Sequence, residues 1–181
     1  MKIIVTIPAY NEEISIGAVV RNIRKVMQSK KYNFHVLVVD DGSKDNTAVE
    51  AKKAGAIVFS HPANYGLAEA FRTELQKCLE MKADVILHTD ADGQYVAEEI
   101  PNLIEKVNEG YDLVLGSRFK GRIESMPLLK RFGNKAFSYE ISKIVKMRIT
   151  DAQTGFRAFT SKVAQIPMTS THTYTQEQII R

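Results

Sequence analysis

The sequence of 181 residues is long enough for one domain with a hydrophobic core and too short for two ordinary domains. Its 44% hydrophobic and 25% charged residues are typical of a globular protein, which excludes a disordered or fibrous chain. The single cysteine excludes a disulfide bond within the chain, and the absence of a signal region or an apolar run of roughly 18 residues predicts a cytoplasmic protein.

Short apolar runs of strand type alternate with stretches whose apolar residues recur at helical spacing. The predicted strands are Lys2–Pro8, Val36–Asp40, Ala56–Ser60, Val85–Thr89 and Leu113–Gly116. Helical periodicity begins at Ile16, Leu67 and Ile100. The alternation predicts an α/β fold with a mostly parallel central sheet flanked by helices. The β-branched content of the strands predicts that they are central and buried on both faces.

The regular alternation of predicted strands and helices ends at about residue 118. We predict one longer helix with apolar positions from Leu129 to Val145, a loop over Thr150–Gly155 and a strand over Phe156–Thr160. The last six residues have the pattern of the first turns of a helix, from which we expect a truncated or naturally short form. No linker or internal repeat divides the chain, so we expect a single domain over residues 1–181 with halves at 1–117 and 118–181.

The basic residues are concentrated in one part of the chain, whose net charge is +4 overall. Nine lysines and arginines lie between residues 118 and 148, against two acids, Glu124 and Glu140. This concentration favours a phosphorylated substrate or an anionic membrane surface as the partner. The alternative is a solvated helix face. Nucleic acid is not expected, since the stretch carries no known reading motif.

Polar residues follow four of the predicted strands at the point where each strand ends. These clusters are residues 8–12, 40–43, 90–94 and 116–118. Ligands of open parallel sheets bind outside the carboxyl ends of the strands, so we expect the clusters to form one site. The chain has no glycine-rich dinucleotide motif or phosphate-loop lysine, which argues against dinucleotide cofactors and P-loop nucleotide hydrolysis.

Asp90 and Asp92 are the pair with the most specific chemistry. Two carboxylates at positions i and i+2 after an apolar strand can hold a hard divalent cation. Magnesium or manganese would share a diphosphate there and neutralise the charge on a leaving nucleotide. The alternative is that both acids shape a turn and a helix start, because Asp is common after strands. The neighbouring polar clusters favour the cation site.

Asp40 and Asp41 follow the second predicted strand. The first carboxylate could accept hydrogen bonds from a nucleobase or a ribose hydroxyl. Alternatively, the two acids shape the turn while Ser43 or Asp45 caps the next helix, and both interpretations can hold together. Glu12 is likewise either a helix-start residue or a contact to a ribose.

Two arginines and one loop complete the candidates. Arg118 at a strand end and Arg131 on the predicted longer helix could bind phosphate, because the guanidinium fork matches phosphate oxygens. The loop Asp151–Arg157 combines an acid, an amide, a hydroxyl and a glycine, as substrate-contacting loops do, with an ordinary surface turn as the alternative. The four histidines have no metal-ligand spacing, and Cys78 falls on an apolar helix stripe, which predicts a core position.

Five motifs, in chain order, resemble those of the family 2 glycosyltransferases with the GT-A fold. They are residues 7–12 (IPAYNE), 39–47 (VDDGSKDNT), 90–94 (DADGQ), 116–118 (GSR) and 154–157 (TGFR). Within that family, the chain is most similar to the dolichol- or polyprenol-phosphate mannosyltransferases. One departure is that Tyr95 to Glu98 (YVAE) stand where the family commonly has Asp-Pro-Glu.

The resemblance implies an inverting, metal-dependent transfer of one sugar from a nucleotide diphosphate sugar. It implies mannose from GDP-mannose first, with glucose or N-acetylglucosamine from a UDP donor as the alternative. Residues 1–117 would bind the nucleotide sugar, and residues 118–181 would face the acceptor. The implied nucleotide pocket contains Pro8, Tyr10, Glu12, Asp40, Asp41, Asp90 and Ala91. The implied ligands of Mg²⁺ or Mn²⁺ are Asp90, Asp92 and Gln94, and the implied catalytic residues are Asp92, Asp151, Arg118 and Arg131.

The implied acceptor is a polyprenyl or dolichyl phosphate at the cytoplasmic face of a membrane, to which the protein would bind peripherally. A phosphate monoester loses its second proton near pH ~6, so such an acceptor needs no strong base. A sugar hydroxyl acceptor would need one, for which Asp151 and Glu177 are the candidates. Two other classes of protein remain as alternatives, a nucleotidyltransferase and a non-catalytic binding module. A nucleotidyltransferase would carry a glycine-rich basic loop after the first strand, which is absent after Ile7, and a non-catalytic module would bind the nucleotide sugar without turnover.

Overall fold

The computed structural model describes residues 1–118, 128–171 and 173–181, with the backbone alone for residues 128–131. The strands are β1 (Lys2–Ala9), β2 (Asn33–Asp40), β3 (Ile57–Ser60), β4 (Val85–His88), β5 (Leu113–Leu115) and β6 (Arg157–Thr160). The helices are α1 (Ile16–Ser29), α2 (Thr47–Lys53), α3 (Leu67–Glu80), α4 (Ile100–Asn108), α5 (Leu128–Val145), α6 (Ser161–Ala164) and α7 (Tyr174–Ile180). A 3₁₀ turn at Ala97–Glu99 leads into α4.

The strands form one sheet in the order β3-β2-β1-β4-β6-β5. Strands β1 to β4 are parallel, and β6 is antiparallel to both of its neighbours. The predicted α/β fold with a mostly parallel sheet is confirmed. The prediction that the first five strands are all buried on both faces is wrong, because β3 and β5 occupy the edges of the sheet. Ile57 and Phe59 of β3 are exposed, and every residue of β5 is only half-buried.

Side chains of β1 alternate between two core layers, since successive residues of a strand point to opposite faces. Ile3, Val5 and Ile7 pack in the layer that contains α1 and α4. Ile4 packs in the other layer, with Phe71 and Cys78 of α3. The predicted core position of Cys78 is confirmed. The two layers leave the carboxyl ends of β1 and β4 side by side, where the strand order reverses.

The longer helix predicted beyond residue 118 is confirmed as α5, but its apolar positions are not its buried face. Among its described side chains, Ile141 is buried, whereas Phe132 and Ile144 are 70% and 61% exposed. Ser138 is buried instead, and its hydroxyl accepts the N–H of Ala152 at 3.0 Å. A polar contact therefore attaches the loop before β6 to α5. None of the helices in the described ranges is both long and apolar enough to cross a membrane.

Candidate functional site

An open cavity of about 390 Å³ lies at the carboxyl ends of β1 and β4. Residues of the predicted site that line it are Pro8, Tyr10, Glu12, Asp41, Asp90, Ala91 and Asp92. Ala9 and the start of α3 complete the wall, with Asn64, Gly66, Leu67 and Ala70. Four predicted residues with described side chains are not part of the lining, namely Asp40, Gln94, Arg118 and Asp151, so the cluster at residues 116–118 does not join this cavity. The strand-end clusters at residues 8–12, 40–43 and 90–94 thus meet as the sheet topology requires.

Hydrogen bonds beyond the strand ends hold these clusters in place. The N–H of Asp41 donates to the carbonyl of Ala9 at 2.8 Å, and the N–H of Thr89 donates to the carbonyl of Thr6 at 3.1 Å. Both bonds continue the pairing of β1 with its two neighbours. The loops after β2 and β4 therefore begin at fixed positions on either side of β1.

The two adjacent acids after β2 have different roles. Asp40 accepts the N–H of Ser43 through Oδ1 at 3.1 Å, so it closes the turn. The buried Asp41 carboxylate lines the cavity and accepts the backbone N–H groups of Tyr65 and Gly66 at 3.0 and 2.8 Å. The second acid, rather than the first, is therefore on the cavity wall, where it also orders the turn before α3.

His61 is a partner of Asp41 that the sequence did not reveal. Its Nδ1 lies 2.7 Å from Oδ1 of Asp41, and its Nε2 lies 2.9 Å from the hydroxyl of Thr73. The imidazole thereby connects the cavity wall to the middle of α3. No spacing signal could have identified it, because the contact depends on the register between β2 and β3.

Glu12 lies before α1, as one of its two interpretations predicts, and its predicted contact to a ribose stays a prediction. Its Oε2 accepts the hydroxyl of Ser15 at 2.5 Å, as a residue before a helix does, and it also lines the cavity. Its backbone N–H donates to the hydroxyl of Thr47 at 2.7 Å. Asp45 accepts the N–H of Thr47 at 2.9 Å, but Asn46 occupies the N-cap position of α2, so the prediction that Ser43 or Asp45 caps this helix is wrong. The loops after β1 and β2 are therefore bound to each other.

Asp90 and Asp92 both lie on the cavity wall, Asp90 half-buried and Asp92 exposed. Burial raises the pKa of Asp90, and the neighbouring Asp92 adds to that rise, while the charges of Arg157 and Arg118 oppose it. Oδ1 of Asp92 accepts the N–H of Gln94 at 2.9 Å, so it also shapes the turn. Within the described residues, no group of three or more His, Cys, Asp or Glu side chains could enclose a metal ion. Two carboxylates fit a cation that keeps water ligands and shares a substrate phosphate.

The loop before β6 lies directly against Asp90. A Cβ atom added to Gly155 would come within 2.7 Å of Oδ1 and 2.9 Å of Oδ2 of Asp90. The N–H of Gly155 donates to the hydroxyl of Tyr95 at 3.2 Å. The ring of Tyr95 stacks on that of Phe156, with centroids 5.1 Å apart and an angle of 16° between the planes. In the sequence, Tyr95 stands out only as part of a departure from the family pattern.

Arg118 and Asp151 form a bidentate ion pair. Nε and Nη2 of Arg118 donate to the two carboxylate oxygens at 2.8 and 2.9 Å, and its backbone N–H donates at 3.2 Å. The hydrogen bonds to Asp151 raise the pKa of Arg118. These two predicted catalytic residues are thus brought together. Arg131 lies in α5, but its side chain is outside the described part of the structure.

Arg157 is fully buried and connects the loop before β6 to α7. It donates to the carbonyls of Thr154 and Thr175 and to the side-chain oxygen of Gln178. Burial lowers its pKa to about 10. The carboxylate of Glu177 accepts backbone N–H groups from Thr169 and Ser170. Glu177 therefore holds the segment before α7 in place.

Residues 4–165 match the family described as glycosyl transferase family 2. An uncharacterised protein of Methanocaldococcus jannaschii is 38% identical over 167 residues, which are 91% of this chain and 67% of that protein. A UDP-N-acetylglucosamine–dolichyl-phosphate N-acetylglucosaminyltransferase of Methanococcus voltae is 34% identical, with 88% of this chain and 70% of that protein covered. A dolichyl-phosphate hexose transferase of Haloferax volcanii is also 34% identical, with coverages of 86% and 64%.

Solved structures share the fold at low sequence identity. Mannosyl-3-phosphoglycerate synthase of Rubrobacter xylanophilus superposes with a TM-score of 0.71 at 18% identity, over 90% of this chain and 54% of that one. Glucosyl-3-phosphoglycerate synthase of Mycobacterium tuberculosis, in a complex with Mn²⁺, UDP-glucose and phosphoglyceric acid, superposes with a TM-score of 0.69 at 22% identity, over 90% and 57%. The chain therefore spans just over half the length of these structures.

Proposed function

The chain belongs to glycosyltransferase family 2, and from that premise we propose that it transfers one sugar from a nucleotide diphosphate sugar to a polyprenyl phosphate, with inversion at the anomeric carbon. The observation that carries this proposal is that the carboxylates of the two candidate bases, Asp151 and Glu177, are already occupied by hydrogen bonds within the protein. Both oxygens of Asp151 are bound by Arg118, and Glu177 is bound by backbone N–H groups. An acceptor that arrives already ionised suits such a site.

The acceptor phosphate supplies its own nucleophilic oxygen in this mechanism. Its second proton is lost near pH ~6, so at neutral pH no side chain has to remove it. What the protein has to provide is alignment of that oxygen with the anomeric carbon and a cation beside it. Arg118 is suited to be the cation beside the acceptor phosphate. Asp151 fixes the plane of its guanidinium group, and a guanidinium fork matches phosphate oxygens.

The cavity at the ends of β1 and β4 is the proposed donor site. Asp41 offers a carboxylate, which only accepts hydrogen bonds, on the wall of that cavity. A guanine or uracil base presents N–H groups that such an acceptor can bind, so both GDP- and UDP-sugars fit this chemistry. The resemblance of the motifs favours mannose from GDP-mannose, whereas the names of two relatives favour N-acetylglucosamine or another hexose.

Asp90 and Asp92 are the residues that would hold a divalent cation together with the donor diphosphate. Such a cation neutralises the negative charge that develops on the departing nucleoside diphosphate. The side chain of Gln94 is exposed and lies away from the cavity lining. We therefore assign the two carboxylates, rather than Gln94, to this cation. Ionised Asp90 is required; burial and the neighbouring Asp92 raise its pKa, and the charges of Arg157 and Arg118 oppose that rise.

We also propose that the protein binds peripherally to the membrane in which a polyprenyl phosphate would be anchored. Helix α5 exposes Phe132 and Ile144, and exposed Lys143, Lys146 and Arg148 follow along the same segment. Apolar side chains combined with basic residues are typical of helices that lie on anionic lipid surfaces.

The decisive experiment measures thermal stabilisation by GDP-mannose and by UDP-N-acetylglucosamine, each with and without Mn²⁺, followed by transfer to a polyprenyl phosphate. A ligand at about 100 times its dissociation constant adds roughly 2.7 kcal/mol, which a melting curve resolves. We expect one donor to stabilise the protein in the presence of Mn²⁺, with loss of the shift in Asp92→Asn. Stabilisation by neither donor would refute the donor site. Stabilisation without transfer would favour the non-catalytic binding module.

A further inference from the structure

Tyr95 stands between the two halves of the proposed site. It follows Asp90, Asp92 and Gln94 in the same loop, so its backbone belongs to the side that would bind the cation and the donor diphosphate. Its side chain instead contacts the loop before β6. The hydroxyl accepts the N–H of Gly155, and the ring stacks on Phe156. Tyr95 is therefore a physical connection between the loop after β4 and the loop before β6.

The loop before β6 has little freedom to move independently of this contact. Gly155 lies so close to Asp90 that no side chain fits between them. The carbonyl of Phe156 accepts the N–H of Gly116 at 2.8 Å, and a Cβ atom at Gly116 would lie 2.4 Å from the Phe156 ring. The same loop begins at Asp151, whose carboxylate orients Arg118. Tyr95 thus lies on a continuous set of contacts from Asp90 to the Arg118–Asp151 pair.

We infer that Tyr95 is a positioning residue that couples occupation of the donor side to the placement of Arg118 on the acceptor side. This inference rests on the proposed transfer to a phosphate acceptor. The reacting oxygen and carbon atoms must approach to roughly 3–3.5 Å in line, and a displacement of about 1 Å can cost a hundredfold in rate. A loop that shifts when Tyr95 loses its hydroxyl would displace Asp151 and Arg118 together. Donor binding at the ends of β1 and β4 would not change.

The variant that tests this inference is Tyr95→Phe, because it keeps the ring that stacks on Phe156 and removes the hydroxyl that accepts the Gly155 N–H and hydrogen-bonds the Thr154 side chain. We expect the kcat for transfer to fall about tenfold, the ratio that corresponds to one ordinary hydrogen bond. We expect the dissociation constant of the donor to stay within about twofold, because the hydroxyl contacts Gly155 rather than the cavity lining. The matched control is Tyr111→Phe, an exposed tyrosine outside the cavity, which should leave both quantities unchanged.

Amide hydrogen exchange at Gly155, followed by NMR, gives a readout that does not require turnover. We expect this exchange to be faster in Tyr95→Phe than in the wild type and unchanged in Tyr111→Phe. Donor with Mn²⁺ should slow it in the wild type and have little effect in Tyr95→Phe. If the wild type binds no donor or transfers no sugar, the proposed function fails, while exchange in the free protein still decides whether Tyr95 holds the loop.

Three results would overturn the inference. One is unchanged Gly155 exchange in Tyr95→Phe, which would show that the hydroxyl does not hold the loop. Another is an unchanged kcat despite faster exchange, which would show that the loop position does not limit transfer. The third is a parallel loss of donor affinity, kcat and melting temperature, which would make the role of Tyr95 purely structural.

Discussion

Arg118 binds both carboxylate oxygens of Asp151, at 2.8 and 2.9 Å. The Asp151 side chain has no exposed surface, whereas 27% of the Arg118 side chain is exposed. A bidentate pair of this kind holds the guanidinium plane in one orientation. The geometry therefore favours a role for Asp151 in fixing the orientation of Arg118, with the remaining guanidinium surface directed outward from the pair.

We predict that Arg118→Lys lowers the rate of transfer to a polyprenyl phosphate by about tenfold or more, because lysine keeps the charge and loses the planar fork. The stabilisation by donor with Mn²⁺ should remain, since Arg118 does not line the donor cavity. Steady-state kinetics and melting curves measure the two effects. Arg21→Lys, at an exposed position of α1, is the matched control. Equal loss of donor binding and transfer in Arg118→Lys would contradict the assignment to the acceptor side.

Gly155→Ala should weaken metal-dependent donor binding, because the added methyl group meets the Asp90 carboxylate itself. The added methyl group would lie 2.7 Å from a carboxylate oxygen of Asp90, so that carboxylate or the loop has to shift. Overpacking of this kind costs about 1–3 kcal/mol in stability. Gly133→Ala is the control, because a Cβ atom at Gly133 meets nothing within 4 Å, and alanine in a helix should stabilise by about 0.5–1 kcal/mol. Donor titration by calorimetry, with and without Mn²⁺, would distinguish the two variants. Normal affinity in Gly155→Ala would show that Asp90 tolerates displacement.

The sequence predicted the cavity at the ends of β1 and β4 better than the contacts around the loop before β6. Asp41, Asp90 and Asp92 are recognisable because each directly follows an apolar strand, and the carboxyl ends of neighbouring parallel strands must meet. That argument needs only local periodicity and the alternation of strands and helices. It could not decide between Asp40 and Asp41, since the choice depends on side-chain direction after the last paired residue of β2.

The contacts of the loop before β6 depend on pairings that no local pattern reveals. Tyr95 meets Gly155 across 60 residues of sequence because β6 inserts antiparallel between β4 and β5. The buried position of Arg157 has the same origin, since its register partner in β4 is His88. Helix α5 was predicted correctly, but its buried side is not apolar throughout. Polar Ser138 is buried beside Ile141, whereas a pattern of apolar positions alone indicates an apolar face that packs inward.

The segment before α7 should lose stability in acid through Glu177. Hydrogen bonds from Ser170 and Thr169 lower the pKa of Glu177 below its ordinary value of 4.5. A carboxyl group whose pKa is lower in the folded than in the unfolded state stabilises the fold at pH values above its unfolded-state pKa. This stabilisation is lost as the pH falls through the folded-state pKa. We predict that Glu177→Gln is less stable than the wild type by about 1 kcal/mol at neutral pH. The difference should shrink below pH 4.5.

Denaturant unfolding at several pH values tests this dependence on Glu177. Glu105→Gln, an exposed position of α4, is the control and should show little difference at any pH. A gap between the wild type and Glu177→Gln that stays constant down to pH 3, or grows with acidification, would show that the hydrogen bonds do not favour the ionised carboxylate.

Exposed residues of α5 and of the segment directly after it should bind vesicles that contain anionic lipid. Phe132 and Ile144 can insert their apolar groups, and each exposed lysine near the surface contributes about 1 kcal/mol of electrostatic attraction. We predict that Phe132→Ser and Lys146→Glu each reduce cosedimentation with such vesicles, and that added salt weakens the binding because it screens the charges. Lys25→Glu makes the same charge change on an exposed position of α1 and should have a much smaller effect. If Lys25→Glu reduced vesicle binding as strongly as Lys146→Glu, the net charge of the protein, rather than the exposed residues of α5 and the segment after it, would be responsible for the binding.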